Sequence, residues 1–276
     1  MFKLQWITKY FNCKNSMRIT LIGSGNVATH LAAALKNAGH RIVQVYSRDA
    51  QHAALLAYHV GAEAIDNLAT ISPDTDIFII SVKDDAIIEM VKALARYQKI
   101  IVHTSGATNL KDLLAFTDNA GVLYPLQTFS KTKEVDFWAV PLCIEAANDD
   151  IKTDLEKLAA TISNNIYHVN SADRKILHLA AVFACNFPNY LYAVAQQLLA
   201  GHQMNFDMLK PLILETAQKV QTQLPASVQT GPAVRNDVVT MNAHLQMLKA
   251  EPYWQEIYTL LSQGIIKNNN GGHRDK

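Results

Sequence analysis

The chain has 276 residues, 25 of them Lys or Arg against 24 Asp or Glu, and 49% of it is apolar. That length suffices for one large or two ordinary domains with a sizeable core, and the balanced charge excludes a whole-chain field directed at nucleic acid or an anionic membrane. The three cysteines, Cys13, Cys143 and Cys185, are odd in number and far apart, which argues against a disulfide framework and for a reducing, cytoplasmic setting.

Residues 1–16 lack the continuous apolar stretch and small-residue cleavage site of a signal peptide, and Met17 directly precedes the first strand pattern. They are expected to be a flexible extension, as is the polar end from 266 to 276.

The folded part opens with Arg18-Ile-Thr-Leu-Ile22, which runs into Gly23-Ser24-Gly25 and then into a helical pattern through Ala28, Leu31, Ala32 and Leu35. Strand, tight turn and helix in that order are the setting that gives Gly-x-Gly-x-x-Ala its meaning. Gly23 makes the turn, Gly25 lets a pyrophosphate approach the backbone, and Ala28 allows close packing of helix on strand. The phosphates would rest on free N–H groups at the positive end of the helix, beside Ser24, Asn26 and Val27.

A second strand, Arg41 to Tyr46, ends at Ser47-Arg48-Asp49. An enzyme that prefers NAD usually carries an acid here to bind the ribose 2′-OH. A hydroxyl followed by a guanidinium suits a 2′-phosphate instead, so NADP is the expected cofactor. Asp49 also reads as the N-cap of the next helix.

Asp76 to Val82 is an almost unbroken apolar strand of the kind buried in a parallel sheet, and its end brings Ser81 and Val82 to the ligand edge. The next strand, Lys99 to His103, delivers His103, Ser105 and Gly106 to the same edge. His103 has the chemistry of an acid or base, but also that of a structural histidine. Gly121 to Phe129 continues the sheet and turns at Tyr124-Pro125, where Tyr124, Gln127 and Thr128 offer hydrogen bonds to a substrate or stabilise the turn. Two more strands, Val140 to Glu145 and Asn165 to Val169, flank a helix over 150–162.

From Ser171 the period is helical throughout, over 172–200, 206–223, 237–249 and 252–264. The change of pattern predicts a Rossmann-like, mostly parallel α/β domain over 17–170 followed by an all-helical domain over 171–265. The richest apolar run, Ile176 to Ala200, is broken by His178, Asn186, Pro188 and other polar residues, and reads as a buried helix, not a membrane span.

The chain resembles the Rossmann-like NADP oxidoreductases, a family of inferred activity, that carry a helical C-terminal domain of unknown function. The resemblance covers about 17–262. It rests on Gly-Ser-Gly-Asn-Val-Ala at 23–28, Leu-Tyr-Pro-Leu-Gln-Thr-Phe at 123–129, His178-x-x-Ala-x-x-x-x-Asn186, and Thr-Gly-Pro-Ala-Val-Arg-Asn-Asp at 230–237. More distantly it is similar to pyrroline-5-carboxylate reductase, the deazaflavin-dependent NADP reductases, ketopantoate reductase and the 6-phosphogluconate dehydrogenase superfamily. The resemblance implies the fold and the cofactor, and a homodimer formed through the helical domain.

On a continuous α-helix Lys175 and Asn186 return to nearly the same face, with His178 close by. This gives His178 or Lys175 as proton donor and Asn186 as the group that orients a carbonyl or imine, consistent with related dehydrogenases that put a Lys and an Asn on the equivalent helix. The alternative is an interior histidine and an asparagine that caps the carbonyl freed by Pro188. Arg235 is placed to grip a substrate carboxylate or phosphate, and Asp237 to share that site or cap the following helix. No metal site is expected. The function expected is hydride transfer between NADPH and a small 2-oxo acid or cyclic imine, with a non-catalytic NADP(H) sensor as the alternative.

Overall fold

A computed structural model describes residues 16–271. The chain divides into two compact units at Asn186/Phe187. Cys13 and the first fifteen residues lie outside the described part, as do residues 272–276.

In the first unit, β1 (Arg18–Ile22) leads into α1 (Asn26–Asn37), β2 (Arg41–Tyr46), α2 (Ala50–Val60) and the short β3 (Glu63–Ile65). β4 (Ile77–Ile80), α3 (Asp84–Leu94), β5 (Ile100–His103), α4 (Leu110–Leu114) and β6 (Ala120–Pro125) follow. β7 (Leu142–Ala146), α5 (Asp149–Ala160), β8 (Ile166–His168) and α6 (Ser171–Ala181) complete it. Among the described residues the strands form one eight-stranded sheet in the order β3-β2-β1-β4-β5-β6-β7-β8. All neighbours pair in parallel except β6 and β7, where Tyr124 stands opposite Cys143 in antiparallel register.

The four residues of β4, Ile77 to Ile80, are all fully buried. Alternate residues of the central strands therefore point to two separate cores. Ile19, Leu21, Ile77 and Ile79 join Ala28, Leu31 and Leu35 of α1 on one face, whereas Ile22, Phe78, Ile80 and Ile101 join Ile87, Met90 and Val91 of α3 on the other. This is the double burial that a near-continuous apolar run requires. Because the chain crosses from β3 back past β1 to β4, the order reverses between β1 and β4. The carboxyl ends of both strands open there, at the position where ligands bind in open α/β sheets.

The second unit comprises α7 (Phe187–Ala200), α8 (Lys210–Thr222), α9 (Val238–Met247) and α10 (Pro252–Gly271). α10 runs past residue 264 and takes in much of the stretch expected to be a flexible tail. Among the described residues no helix is long and apolar enough to cross a membrane. The expectation that 176–200 is a buried helix is not met. Ile176, Leu179, Tyr190 and Leu198 are all exposed, and neither α7 nor α8 buries a single residue. The apolar run therefore finds no complete cover within one chain.

The same run is not one α-helix. Val182–Asn186 is π-helical. Pro188, two residues on, has no N–H and its ring crowds the carbonyl of Ala184, so regular i→i−4 bonding fails just before it. Each π-helical residue turns less about the axis than an α-helical one. The angular argument that set Asn186 on the face of Lys175 therefore does not hold.

Candidate active site

Gly23 has φ +116°, and a Cβ there would lie 2.3 Å from the Ser81 carbonyl oxygen. Only glycine allows β1 to turn this tightly against the end of β4. Its N–H donates to the Tyr46 carbonyl at 2.8 Å, so the turn is fixed to β2 as well. Gly25 differs. Its φ of −74° suits any residue, and nothing lies within 4 Å of the position a Cβ would take. Packing does not demand this glycine, but open backbone for a ligand's approach does. Gly25 is also the N-cap of α1, no side chain caps the helix, and its first turn carries no acid. Donors and positive dipole are left for an anion. Ala28 is fully buried, as close packing of α1 on the sheet requires.

A cleft of 820 Å³ runs along the carboxyl edge of the sheet. Its lining includes Gly23, Ser24, Gly25, Asn26 and Val27 from the first turn, and Ser47 and Arg48 from the end of β2. Ser81, Val82, Ser105, Tyr124, Gln127 and His178 line it too. Arg48 is exposed and has no ion pair or hydrogen bond among the described residues. Asp49 beside it accepts from the N–H groups of Gln51 and His52 as the N-cap of α2, which holds its carboxyl below the usual carboxylate range, chiefly through the His52 bond. Asp49 itself does not line the cleft; the acids that do are Asp84 and Asp85, after β4. Asn26 is partly spent on the scaffold, since its Nδ2 donates to the Phe129 carbonyl at 2.9 Å.

Toward β6, Tyr124 and His178 meet, with 3.1 Å between the phenolic oxygen and Nδ1. Burial pushes the Tyr124 phenol up, so the hydroxyl keeps its proton and is able to donate to the imidazole. With the phenol as donor, the imidazole proton sits on Nε2. His178 packs against Gly106, where a Cβ would fall 2.7 Å from its ring. The two elements touch because Gly106 has no side chain.

Other expected site residues are engaged in the scaffold or lie away from the cleft. His103 is fully buried and does not line the cleft. Its Nδ1 accepts from the Ser105 N–H at 3.1 Å, and its Nε2 has no hydrogen-bond partner among the described residues. Burial, reinforced by the Arg174 charge, lowers its pKa to about 3, which makes it a neutral structural histidine. Ser105 uses its own oxygen to accept from the N–H groups of Ala107 and Thr108. Lys175 and Asn186 are exposed and do not line the cleft. Arg235 and Asp237 belong to the second unit, where Asp237 caps α9 by accepting from the Thr240 N–H at 3.0 Å.

Sequence reading missed Arg174, the bulkiest of the fully buried side chains. An arginine in Ala-Asp-Arg-Lys-Ile reads as a solvated helix residue, and only the tertiary position of Glu145 reveals otherwise.

A glycine turn and uncapped helix at the switch point of a doubly covered parallel sheet define a Rossmann-like dinucleotide-binding domain. Residues 18–106 match the family described as NADP oxidoreductase, coenzyme F420-dependent, and residues 140–265 match a domain of unknown function, DUF2520. A Bacteroides fragilis protein named for an inferred NADP oxidoreductase activity is 43% identical over 92% of this chain and 99% of its own, with a TM-score of 0.88. The chain thus belongs to the NADP oxidoreductase family in which a Rossmann-like domain is joined to a DUF2520 domain. The cofactor class is nicotinamide or a related type. The fold is shared with an imine reductase from Myxococcus stipitatus in complex with NADP+, at 13% identity over 93% and 95% of the two chains and a TM-score of 0.66. It is shared too with a 1-pyrroline-5-carboxylate reductase from Streptococcus pyogenes, at 14% identity over 93% and 99% and a TM-score of 0.61. A search of curated proteins gave no significant match.

The depressed His103 pKa has a consequence for stability. Unfolded, the imidazole takes a proton near its ordinary value of 6.5, whereas folded it resists down to about 3. The unfolded state therefore binds more protons across that window, and stability falls as pH falls. Acidification from pH 7 to 5 is expected to cost about 2 kcal/mol through this group. Urea unfolding of wild type and His103→Asn at both pH values checks this. The variant should lose correspondingly less on acidification, and an equal loss in both proteins would contradict the assignment.

Proposed function

We propose that this protein is an NADP-dependent oxidoreductase that moves hydride between NADPH and a small carbonyl or imine compound, of the 2-oxo acid or cyclic imino acid class. The observation that carries the reading is one cleft with two kinds of equipment along it. Near β1 and β2 it offers an open glycine turn, an uncapped helix N-terminus and the unpaired Arg48. Near β6 it offers the Tyr124–His178 pair.

The open backbone at Gly25 fits a pyrophosphate, and a free guanidinium whose neighbouring Asp49 is engaged as a helix cap fits a 2′-phosphate. Bound there, the cofactor supplies the hydride. The chain's own part is to hold and move a proton. Tyr124 fixes the His178 tautomer and ring orientation by donating to Nδ1, so that Nε2–H is the donor available to a substrate oxygen or nitrogen. Lys175, Asn186, Arg235 and Asp237 do not line this cleft and carry no part of the reading. The names of the imine reductase and the pyrroline-5-carboxylate reductase support the imine class. Residues 17–170 serve the cofactor, and 171–265 serve substrate and dimerisation. The free thiols of Cys143 and Cys185 are in keeping with a reducing, cytoplasmic setting.

Titration with NADPH and NADH, followed by fluorescence, tests the cofactor. Arg48→Ala is expected to weaken NADPH by about 10- to 100-fold, the value of a charge-assisted bond, while NADH is little affected. With a 2-oxo acid or imine that is turned over, His178→Ala should lower kcat by about 100-fold or more and leave NADPH affinity intact. Failure to bind either nucleotide would overturn the reading. Tight binding with no turnover on any such compound would favour the sensor.

The homodimer rests on the helical unit. Met208, Leu212, Leu214, Val239, Met247 and Leu260, all large and apolar, are exposed there. A second copy of the same surface is its proposed cover. Light scattering at micromolar concentration should give twice the mass of one chain, and a monomer mass would refute this.

A further inference from the structure

Ser171, Arg174 and His178 stand at i, i+3 and i+7 on α6, so they share one face of the helix. Along that face each meets the loop after β5, in reverse order. Ser171 Oγ accepts from the Leu110 N–H at 2.9 Å. Arg174 Nη2 donates to the Thr108 carbonyl at 2.5 Å. The His178 ring lies on Gly106 so closely that a Cβ there would come within 2.7 Å of it. The same loop lines the cleft with Thr104, Ser105 and Gly106.

The guanidinium also reaches β7. Its Nη1 donates to Glu145 Oε2 at 2.5 Å, and Ser171 Oγ donates to the same oxygen at 2.7 Å. Glu145 lies two residues from Cys143, the register partner of Tyr124. One buried cation thus joins β7, the cleft loop and α6; His178 stands on α6, and Tyr124 stands on β6, the antiparallel neighbour of β7.

A purely structural role explains this poorly. Arg174 has no exposed surface, and its Nε has no hydrogen-bond partner among the described residues. An unmade bond on a buried donor is costly, and a buried ion pair is often no more stabilising than an apolar replacement. What the planar fork provides is a fixed geometry that the single ammonium of lysine does not reproduce.

We infer that Arg174 is a positioning residue for the proposed reaction: with Glu145 it sets the register of α6 on the loop of residues 104–110 at which His178 Nδ1 accepts the Tyr124 hydroxyl. The inference rests on the reading of this cleft as the reductase site. His178 does the proton work, and Arg174 acts on it only through the helix.

The test is nitrogen NMR of the full chain with labelled histidine, on wild type, Tyr124→Phe and Arg174→Lys, with thermal melts to confirm folding. In wild type the His178 ring should show one tautomer, with the proton on Nε2, and Tyr124→Phe identifies the signal by shifting it. Arg174→Lys should lose that signature, as Tyr124→Phe does, while NADPH affinity stays at the wild-type value because the glycine turn is untouched. If Arg174→Lys does not fold, Ser171→Ala decides, since it removes the hydroxyl shared by Leu110, Glu145 and Arg174. An unchanged His178 signal in the folded variant would overturn the inference. Failure of wild type to bind NADPH would instead overturn the reductase reading and leave the His178 result to be judged separately.

Discussion

The structure depends on how closely β1 can turn against β4. At Gly23 the backbone passes the Ser81 carbonyl so tightly that no side chain fits, with a φ that L residues rarely adopt. That one contact sets where α1 begins and where its N-terminus points. It also puts the end of β2 beside the turn, because the Gly23 N–H is held by Tyr46. The cleft follows, since Ser24 to Val27, Ser47, Arg48, Ser81 and Val82 are brought together by the same approach.

The two glycines separate scaffold from function. Gly23 is required by the protein's own packing, whereas Gly25 has ordinary backbone angles and open space before it. A glycine that neither conformation nor packing requires is best explained by something that must come near. At the opposite end of the cleft the absence of a side chain at Gly106 serves a different purpose, which is to let His178 sit against the loop and reach Tyr124.

The first half of this arrangement was legible in the sequence because its signals are local. The turn and Ala28 fall within six residues, and the Ser47-Arg48 pair at the end of β2 is read by counting. The apolar run of β4 announces burial on both faces. The other half depends on contacts distant in sequence. Tyr124 and His178 could each be suspected, but not their hydrogen bond. The partnership of Arg174 with Glu145 and Thr108 spans 29 and 66 residues, and nothing in the local pattern marks that arginine as buried. The reverse error was made at His103, which reads as a site residue because it ends a strand, yet points into the core. The π-helical segment over Val182–Asn186 was foreseeable as a disturbance beside Pro188, but its length was not, and so the inferred alignment of Lys175 with Asn186 failed.

The central claim is that the nucleotide lies along this cleft, with its phosphates at the start of α1. The most direct test is a crystal structure of the full chain soaked or grown with NADP+. The account predicts the pyrophosphate on the amides of residues 25–27, the 2′-phosphate at Arg48 and the nicotinamide toward Gly106 and His178. A nucleotide bound anywhere else, or one in the cleft with its phosphates away from the glycine turn, would contradict it.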